Sequence, residues 1–220
     1  MDALIEHSLA REALPPPRAF GVAEGSHLVH RLRLERVGCT VLQLIAARNG
    51  EGASTLARDL GLIATQAMGL RVLLLDGEVT QRKPQDQLCA QYSLPERMTA
   101  PVPDTVNYQS MMSFGGTAFY VGQARRALAL EGPVWSSTFP DLRTRFDLIV
   151  VDAPALERSF DGVQMAPYAD SSVIVVAAES TRATAVKNLR DRLREAGANI
   201  GGLVLNKRRF HVPRPLYERL

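Results

Sequence analysis

The sequence predicts an α/β domain with a mainly parallel sheet and helices on both faces. Three observations carry that prediction. Short runs that are apolar throughout recur along the chain, around Val41, Val72, Leu148, Val173 and Leu203. A helix with apolar residues at helical spacing follows the first of them, at Leu56, Leu60, Ile63, Ala64 and Ala67. Two of the runs end in aspartate, Asp76 and Asp152, where the chain leaves the sheet. Strands apolar on both faces need cover on both, which is the situation of parallel strands between helical layers. At 220 residues the chain can bury such a core without staples.

Taken in order, residues 1–36 read as a leader and 37–220 as the domain. Leu14-Pro15-Pro16-Pro17-Arg18 cannot be helical, because three prolines remove donors and fix φ. Glu24–Arg36 follows, with Leu28, Leu32 and Leu34 among Arg31, Arg33 and Arg36. This predicts a short basic amphipathic helix, either packed on the domain edge or offered to a partner or a second copy. Val41–Ala46 is a strand, Ser54–Met68 a helix and Arg71–Asp76 a second buried strand. Gln81–Gly116 carries Pro84, Pro95, Pro101 and Pro103, lacks periodicity, and reads as irregular and partly mobile. Strands are predicted again at Ala118–Val121, Phe146–Asp152, Ser172–Ala177 and Gly201–Leu205, with a helix over Ala183–Ala196. Trp135 and Phe139 are expected to pack near the turn before the Phe146 strand.

Composition narrows the function. The longest apolar run, Val173–Ala178, is far short of a membrane span. The opening MDALIEH has an early acid and no apolar signal region. Cys39 and Cys89 lie far apart, which excludes a disulfide scaffold and a cysteine zinc site and fits a reducing cytoplasm. A net charge of +3 is too small to imply nucleic acid. His7, His27, His30 and His211 show no metal-ligand spacing and read as surface residues.

The most informative segment is Ala47-Arg48-Asn49-Gly50-Glu51-Gly52-Ala53-Ser54-Thr55, between a strand and a helix. It approaches the phosphate-loop pattern of a glycine, four residues, a second glycine, a lysine and a hydroxyl. Ala47 takes the first glycine's place and Gly52 the second's; Ala53 takes the lysine's, and Ser54 supplies the hydroxyl. Backbone N–H groups and a helix N-terminus still face a phosphate. The hydroxyl that would hold Mg²⁺ is kept; the cation that would neutralise phosphates is not. Asp76 and Asp152 at the ends of buried strands are costly unless paired or facing a metal, so they are placed at the same nucleotide-type site.

From Glu24 to Leu220 the chain resembles the bacterial tyrosine kinase (BY-kinase) family of capsule and exopolysaccharide synthesis, within the MinD/ParA-like group with a deviant phosphate loop. The resemblance is carried by Gly50–Thr55, Val72–Glu78, Phe146–Pro154, and Ser171–Leu205 ending in Asn206-Lys207-Arg208, with Val212–Tyr217 closing it. It implies a P-loop NTPase-like fold, with ATP or ADP and Mg²⁺ as weakly held ligands. It implies that Ser54 and Asp152 hold Mg²⁺, that Asp76 polarises an attacking hydroxyl, and that Asn206 and Lys207 line the adenine. Arg48, Gly50, Gly52, Ser54 and Thr55 would surround the phosphates. Arg48 stands where MinD/ParA relatives carry a signature lysine. Three departures accompany the match. Ala53 replaces the lysine, Glu78 replaces a second aspartate, and after Tyr168 only Tyr217 remains where a tyrosine cluster would be phosphorylated.

These features predict a cytoplasmic, catalytically impaired scaffold or regulator of exopolysaccharide synthesis or export, so the reading leans away from an enzyme. Asp76 and Asp152 would then be vestigial. The implied partner is a membrane polysaccharide co-polymerase or chain-length protein, which would hold the chain peripherally at the inner membrane; a homodimer is compatible. One alternative is an active kinase or ATPase in which Arg48 or a partner's cation replaces the lysine. Another is a ParA/MinD-like positioning protein. Pro213 and Pro215 argue against the long amphipathic membrane helix that a MinD-like ending needs, and the basic cluster at Lys207–Arg209 is small.

Overall fold

A computed structural model describes residues 14–19, 21–33, 38–78, 83–95, 99–101, 108–114, 117–124 and 134–207. Arg36, Arg208, Arg209, Val212–Tyr217, His7 and His211 lie outside the described residues.

The apolar runs form the sheet. Strands β1 (Thr40–Ala46), β2 (Val72–Asp76), β6 (Leu148–Asp152) and β7 (Ser171–Ala177) are buried along their whole length. With β3 (Thr99–Pro101), β4 (Tyr108–Phe114), β5 (Phe119–Ala124) and β8 (Ile200–Asn206) they make one eight-stranded sheet. Its order is β3-β4-β5-β2-β6-β1-β7-β8. From β5 to β8 every pairing is parallel; β3 and β4 extend it antiparallel at one edge.

Alternation along each strand sorts side chains into two cores, because successive residues point to opposite faces. Leu42, Leu44, Leu74 and Val150 meet α2 (Ala53–Met68) through Leu56 and Leu60 in one core. Val41, Ile45, Leu75 and Val151 fill the other, beneath α4 (Val134–Arg143) and α5 (Ala183–Glu195). Trp135 and Phe139, expected to pack near the turn before the Phe146 strand, are buried there with their rings stacked 5.9 Å apart. Burying a side chain of this size contributes roughly 1.5–3 kcal/mol, which is why uniformly apolar strands settle in the middle of the sheet.

The described part of the leader lies against α2. Helix α1 (Val22–Arg33) approaches so closely that a Cβ on Gly25 would sit 2.4 Å from Ile63 Cδ1. The N–H groups of Arg18 and Ala19 donate to Asp59 Oδ2 at 2.7 and 2.5 Å, and Asp59 pairs with Arg58 at 2.6 Å. Both of those side chains are buried.

The expectation of irregular chain over Gln81–Gly116 is corrected for its described parts. They contain α3 (Gln85–Gln91) and the strands β3 and β4. The prolines fit this structure. Pro84 stands at the N-cap of α3, where an N–H is not needed, and Pro101 ends a strand at the sheet edge. Residues 81–82, 96–98, 102–107 and 115–116 of that stretch lie outside the description.

Candidate functional site

The site forms beyond the carboxyl ends of β1, β2 and β6, where open parallel sheets bind ligands. Asp76 and Asp152 are register partners on the adjacent strands β2 and β6, so two carboxylates stand side by side at one level. Both are buried. Gly77 follows Asp76 because a Cβ there would lie 2.7 Å from Met165 Cε and 3.0 Å from the Asp152 carbonyl oxygen. The Gly77 N–H donates to that carbonyl at 2.9 Å and locks the two strand ends together.

The phosphate loop, Ala47–Thr55, faces them. Gly52 precedes α2 in the left-handed region at φ 97, and Gly50 has φ 77. No side-chain hydrogen bond caps the helix at Gly52, and first-turn N–H groups have no intrahelical partner, which suits an anion. The loop is braced from behind. Glu51 is buried, and its Oε2 accepts the N–H groups of Ala47 and Arg48 at 2.9 and 3.1 Å. Its Oε1 accepts the Thr181 hydroxyl. Asn49 N–H donates to Glu157 Oε1 at 2.6 Å. Asn206 Nδ2 donates to the Glu51 carbonyl at 2.9 Å, and Lys207 Nζ to the Gly50 carbonyl at 2.5 Å. Asn206 at the end of β8 and Lys207 just after it thus fasten the loop to that edge of the sheet.

The cleft gathers Arg48, Gly50, Ser54, Asp76 and Asp152 from the expected set. Thr55 points to solvent on the first turn of α2. Ala53 is buried and brings no charge. Ser54 lines the cleft beside Asp152, and its hydroxyl acts to lower the Asp152 carboxyl against the effect of burial. Burial, reinforced by the negative charge of Asp76, pushes the Asp152 carboxyl up to about 6.

A second wall, which sequence reasoning left out, comes from β5 and α3. Lys83 Nζ lies 2.5 Å from Asp76 Oδ2 and 2.8 Å from Gln91 Oε1. Its backbone N–H donates to Gln123 Oε1 at 2.9 Å, and Gln123 Nε2 donates to the Glu78 carbonyl at 3.1 Å. Asp76 Oδ1 accepts the Glu78 N–H at 3.1 Å. Tyr92 at the end of α3 is buried and donates its hydroxyl to Asp152 Oδ2 at 3.0 Å; Gln91 Nε2 reaches the same oxygen at 3.4 Å. Burial and the Asp152 carboxylate hold the Tyr92 phenol well above its ordinary range. Glu78 is held by Arg158 at 2.8 Å.

Two adjacent buried carboxylates and a serine hydroxyl fit a divalent cation. Magnesium takes one or two carboxylates and completes its shell with phosphates and water. Among the described residues no group of three or more His, Cys, Asp and Glu forms a cage for a metal held by protein alone.

No family model matches the chain. It is 22% identical to the tyrosine-protein kinase CpsD of Streptococcus agalactiae over 180 residues, covering 76% of this chain and 75% of that protein. The kinase domain of VpsO superposes with a TM-score of 0.64 at 22% identity, covering 86% of this chain and 95% of that one. The septum site-determining protein MinD of Pyrococcus horikoshii, in complex with Mg-ADP, superposes with a TM-score of 0.50 at 18% identity. That match covers 82% of this chain and 76% of MinD. In sequence the chain resembles bacterial tyrosine kinases, and it shares the P-loop NTPase fold with them and with MinD-type ATPases.

Proposed function

We propose that this chain is a BY-kinase-like protein of exopolysaccharide synthesis or export whose nucleotide site is catalytically impaired, serving as a scaffold or regulator. The likeness to CpsD and to the VpsO kinase domain supports the kinase-like part. The single observation that carries the impairment is the charge layout of the cleft. Ala53 holds the place of the phosphate lysine, and Asp76, which would polarise the attacking hydroxyl, is ion-paired to Lys83 at 2.5 Å. A carboxylate already engaged by an ammonium is not free to orient an attacking hydroxyl.

Charged hydrogen bonds contribute roughly 1.5–3 kcal/mol each. Losing one or two at the phosphate loop weakens ligand binding there by roughly 10–10⁴-fold, at ~1.4 kcal/mol per decade. Charge stabilisation matters at least as much in the transition state of phosphoryl transfer. Magnesium, when bound by Ser54 and Asp152, would neutralise part of the phosphate charge. The chain's own residues would orient the ligand: the α2 N-terminus would receive the phosphates, and Asn206 and Lys207 border the loop on the β8 side.

Titration of ATP and ADP with Mg²⁺ into the full chain by calorimetry tests the nucleotide reading. Weak binding of both is expected. Tight ATP binding, at the level of an intact phosphate loop, would contradict the impairment.

The partner in this reading is the cytoplasmic segment of a membrane polysaccharide co-polymerase, bound by a monomer or dimer. No described helix is long and apolar enough to cross a membrane. Helix α1 carries Arg31 and Arg33, followed by Arg36 in the sequence. Reversing the charge of all three should weaken the association and make it less sensitive to salt. Undiminished pull-down at low salt would remove these arginines from the interface.

A further inference from the structure

We infer that Lys83 is the phosphate-binding cation of this cleft, supplying from the wall opposite the loop the charge that Ala53 lacks. The inference rests on the reading of the cleft as a nucleotide site and names the residue on which binding depends.

Three observations converge on it. The first is position. Lys83 lines the same cleft as Ser54, Asp76 and Asp152. It is no loose surface lysine: its backbone N–H is held by Gln123, which is fully buried on β5, and its side chain is 14% exposed. The second is valence. An ammonium carries three donors. Asp76 and Gln91 take two, at 2.5 and 2.8 Å, which leaves one for an oxygen in the cleft. The third is the charge of the cleft itself. Its acids are Asp76, Glu78 and Asp152, and its bases Arg48, Lys83 and Arg158. Arg158 is engaged by Glu78 at 2.8 Å, and Arg48 stands exposed at the mouth. Lys83 is therefore the described cation placed deep between the carboxylates, where a polyphosphate would otherwise meet only negative charge and neutral backbone.

A lysine on a four-carbon stem can turn its third donor to a nearby phosphate oxygen without moving its backbone. In this position it does two things at once. It holds a nucleoside di- or triphosphate with its third donor, and its other two keep Asp76 and Gln91 engaged. Ligand would be retained while turnover stays low.

The test is calorimetry on the full chain with Mg²⁺, titrating ADP, a non-hydrolysable ATP analogue and inorganic pyrophosphate. The series is wild type, Lys83→Met, Lys83→Arg and Lys83→Met combined with Ala53→Lys. Lys83→Met should weaken both nucleotides by roughly 10-fold or more, the scale of one charged contact. Lys83→Arg should stay within about threefold of wild type, and adding Ala53→Lys to Lys83→Met should restore the loss. Pyrophosphate should follow the nucleotides if the contact is to phosphate; pyrophosphate binding that ignores Lys83 would overturn the assignment. Wild-type affinity in Lys83→Met, or tighter binding, would show that Lys83 is only a counter-ion of Asp76. If Lys83→Met does not fold, Lys83→Gln, which keeps a hydrogen bond to Asp76 without the charge, takes its place with the same expectations. A wild type that binds none of the three ligands overturns the role of Lys83. Rapid ATP hydrolysis by wild type would instead sink the impaired-site reading and leave Lys83 to be judged on affinity.

Discussion

The two walls of the cleft have kept different things. The loop wall, Ala47–Thr55, keeps its backbone: two glycines with positive φ, an uncapped helix N-terminus and braces from Glu51, Asn206 and Lys207. It has no cation at Ala53. The strand wall keeps the two aspartates and adds side chains that engage them, Lys83 on Asp76 and Tyr92 with Gln91 on Asp152. The contrast teaches that phosphate-loop geometry and phosphate-loop charge are separable. Geometry is set by glycines and by packing behind the loop, and it survives a substitution that removes the charge.

The largest effect that can sharpen this contrast belongs to Asp152. Its carboxyl is pushed from the ordinary 3.8 up to about 6 by burial and by Asp76. Below about pH 4 the folded and unfolded chains both hold the proton. Between about 4 and 6 the unfolded chain has released it and the folded chain has not, so rising pH costs stability. Above about 6 the cost is complete, on the order of 3 kcal/mol. Asp152→Asn removes it. In chelator, urea denaturation should find the variant gaining on wild type as pH rises from 4 to 6; a shrinking gap would mean that this wall is not electrostatically strained.

Next is Gly52→Ala, on the other wall. The residue has φ 97, and its Cβ would lie 2.1 Å from Asn206 Nδ2. Asn206 must move and release the Glu51 carbonyl. The cost should be about 2 kcal/mol in chemical denaturation, from backbone strain and overpacking. A neutral result would mean that the loop's geometry is not held by this packing.

Ala53→Lys returns the charge to the loop wall and should tighten ATP by roughly 10-fold or more, read by calorimetry. No gain would indicate that the loop's backbone is not set for a phosphate. The smallest effect belongs to Arg48→Ala. Arg48 is exposed at the mouth, so nucleotide affinity should change by less than about threefold. A loss of 10-fold or more would make Arg48 the substitute cation and break the contrast.

Much of this was legible in the sequence because of burial. The runs at Val41, Val72, Leu148 and Val173 are apolar on both faces, and each became an interior parallel strand. Asp76 and Asp152 stood out because a carboxylate ending such a run needs a partner. The strand wall was harder to read. Lys83 sits among polar residues and prolines, and nothing local says that its ammonium reaches Asp76. One signal was present: Pro84 followed by Leu88, Cys89 and Tyr92 has the start and the apolar spacing of a helical turn, and those three residues are buried. Strands β3 and β4 were missed because they are held by antiparallel pairing, β3 to β4 and β4 to β5, rather than marked by an apolar run of their own.

Single-turnover hydrolysis of ATP with Mg²⁺, wild type beside Ala53→Lys, tests the central claim most directly. Kinases of ordinary activity turn over at ~1 s⁻¹ or faster. Wild type should be at least roughly 100-fold slower than that, the scale of losing the charge at Ala53 and the free carboxylate at Asp76. The variant should be faster than wild type. A wild-type rate near 1 s⁻¹, unchanged by Ala53→Lys, would contradict the account and make this chain a working enzyme.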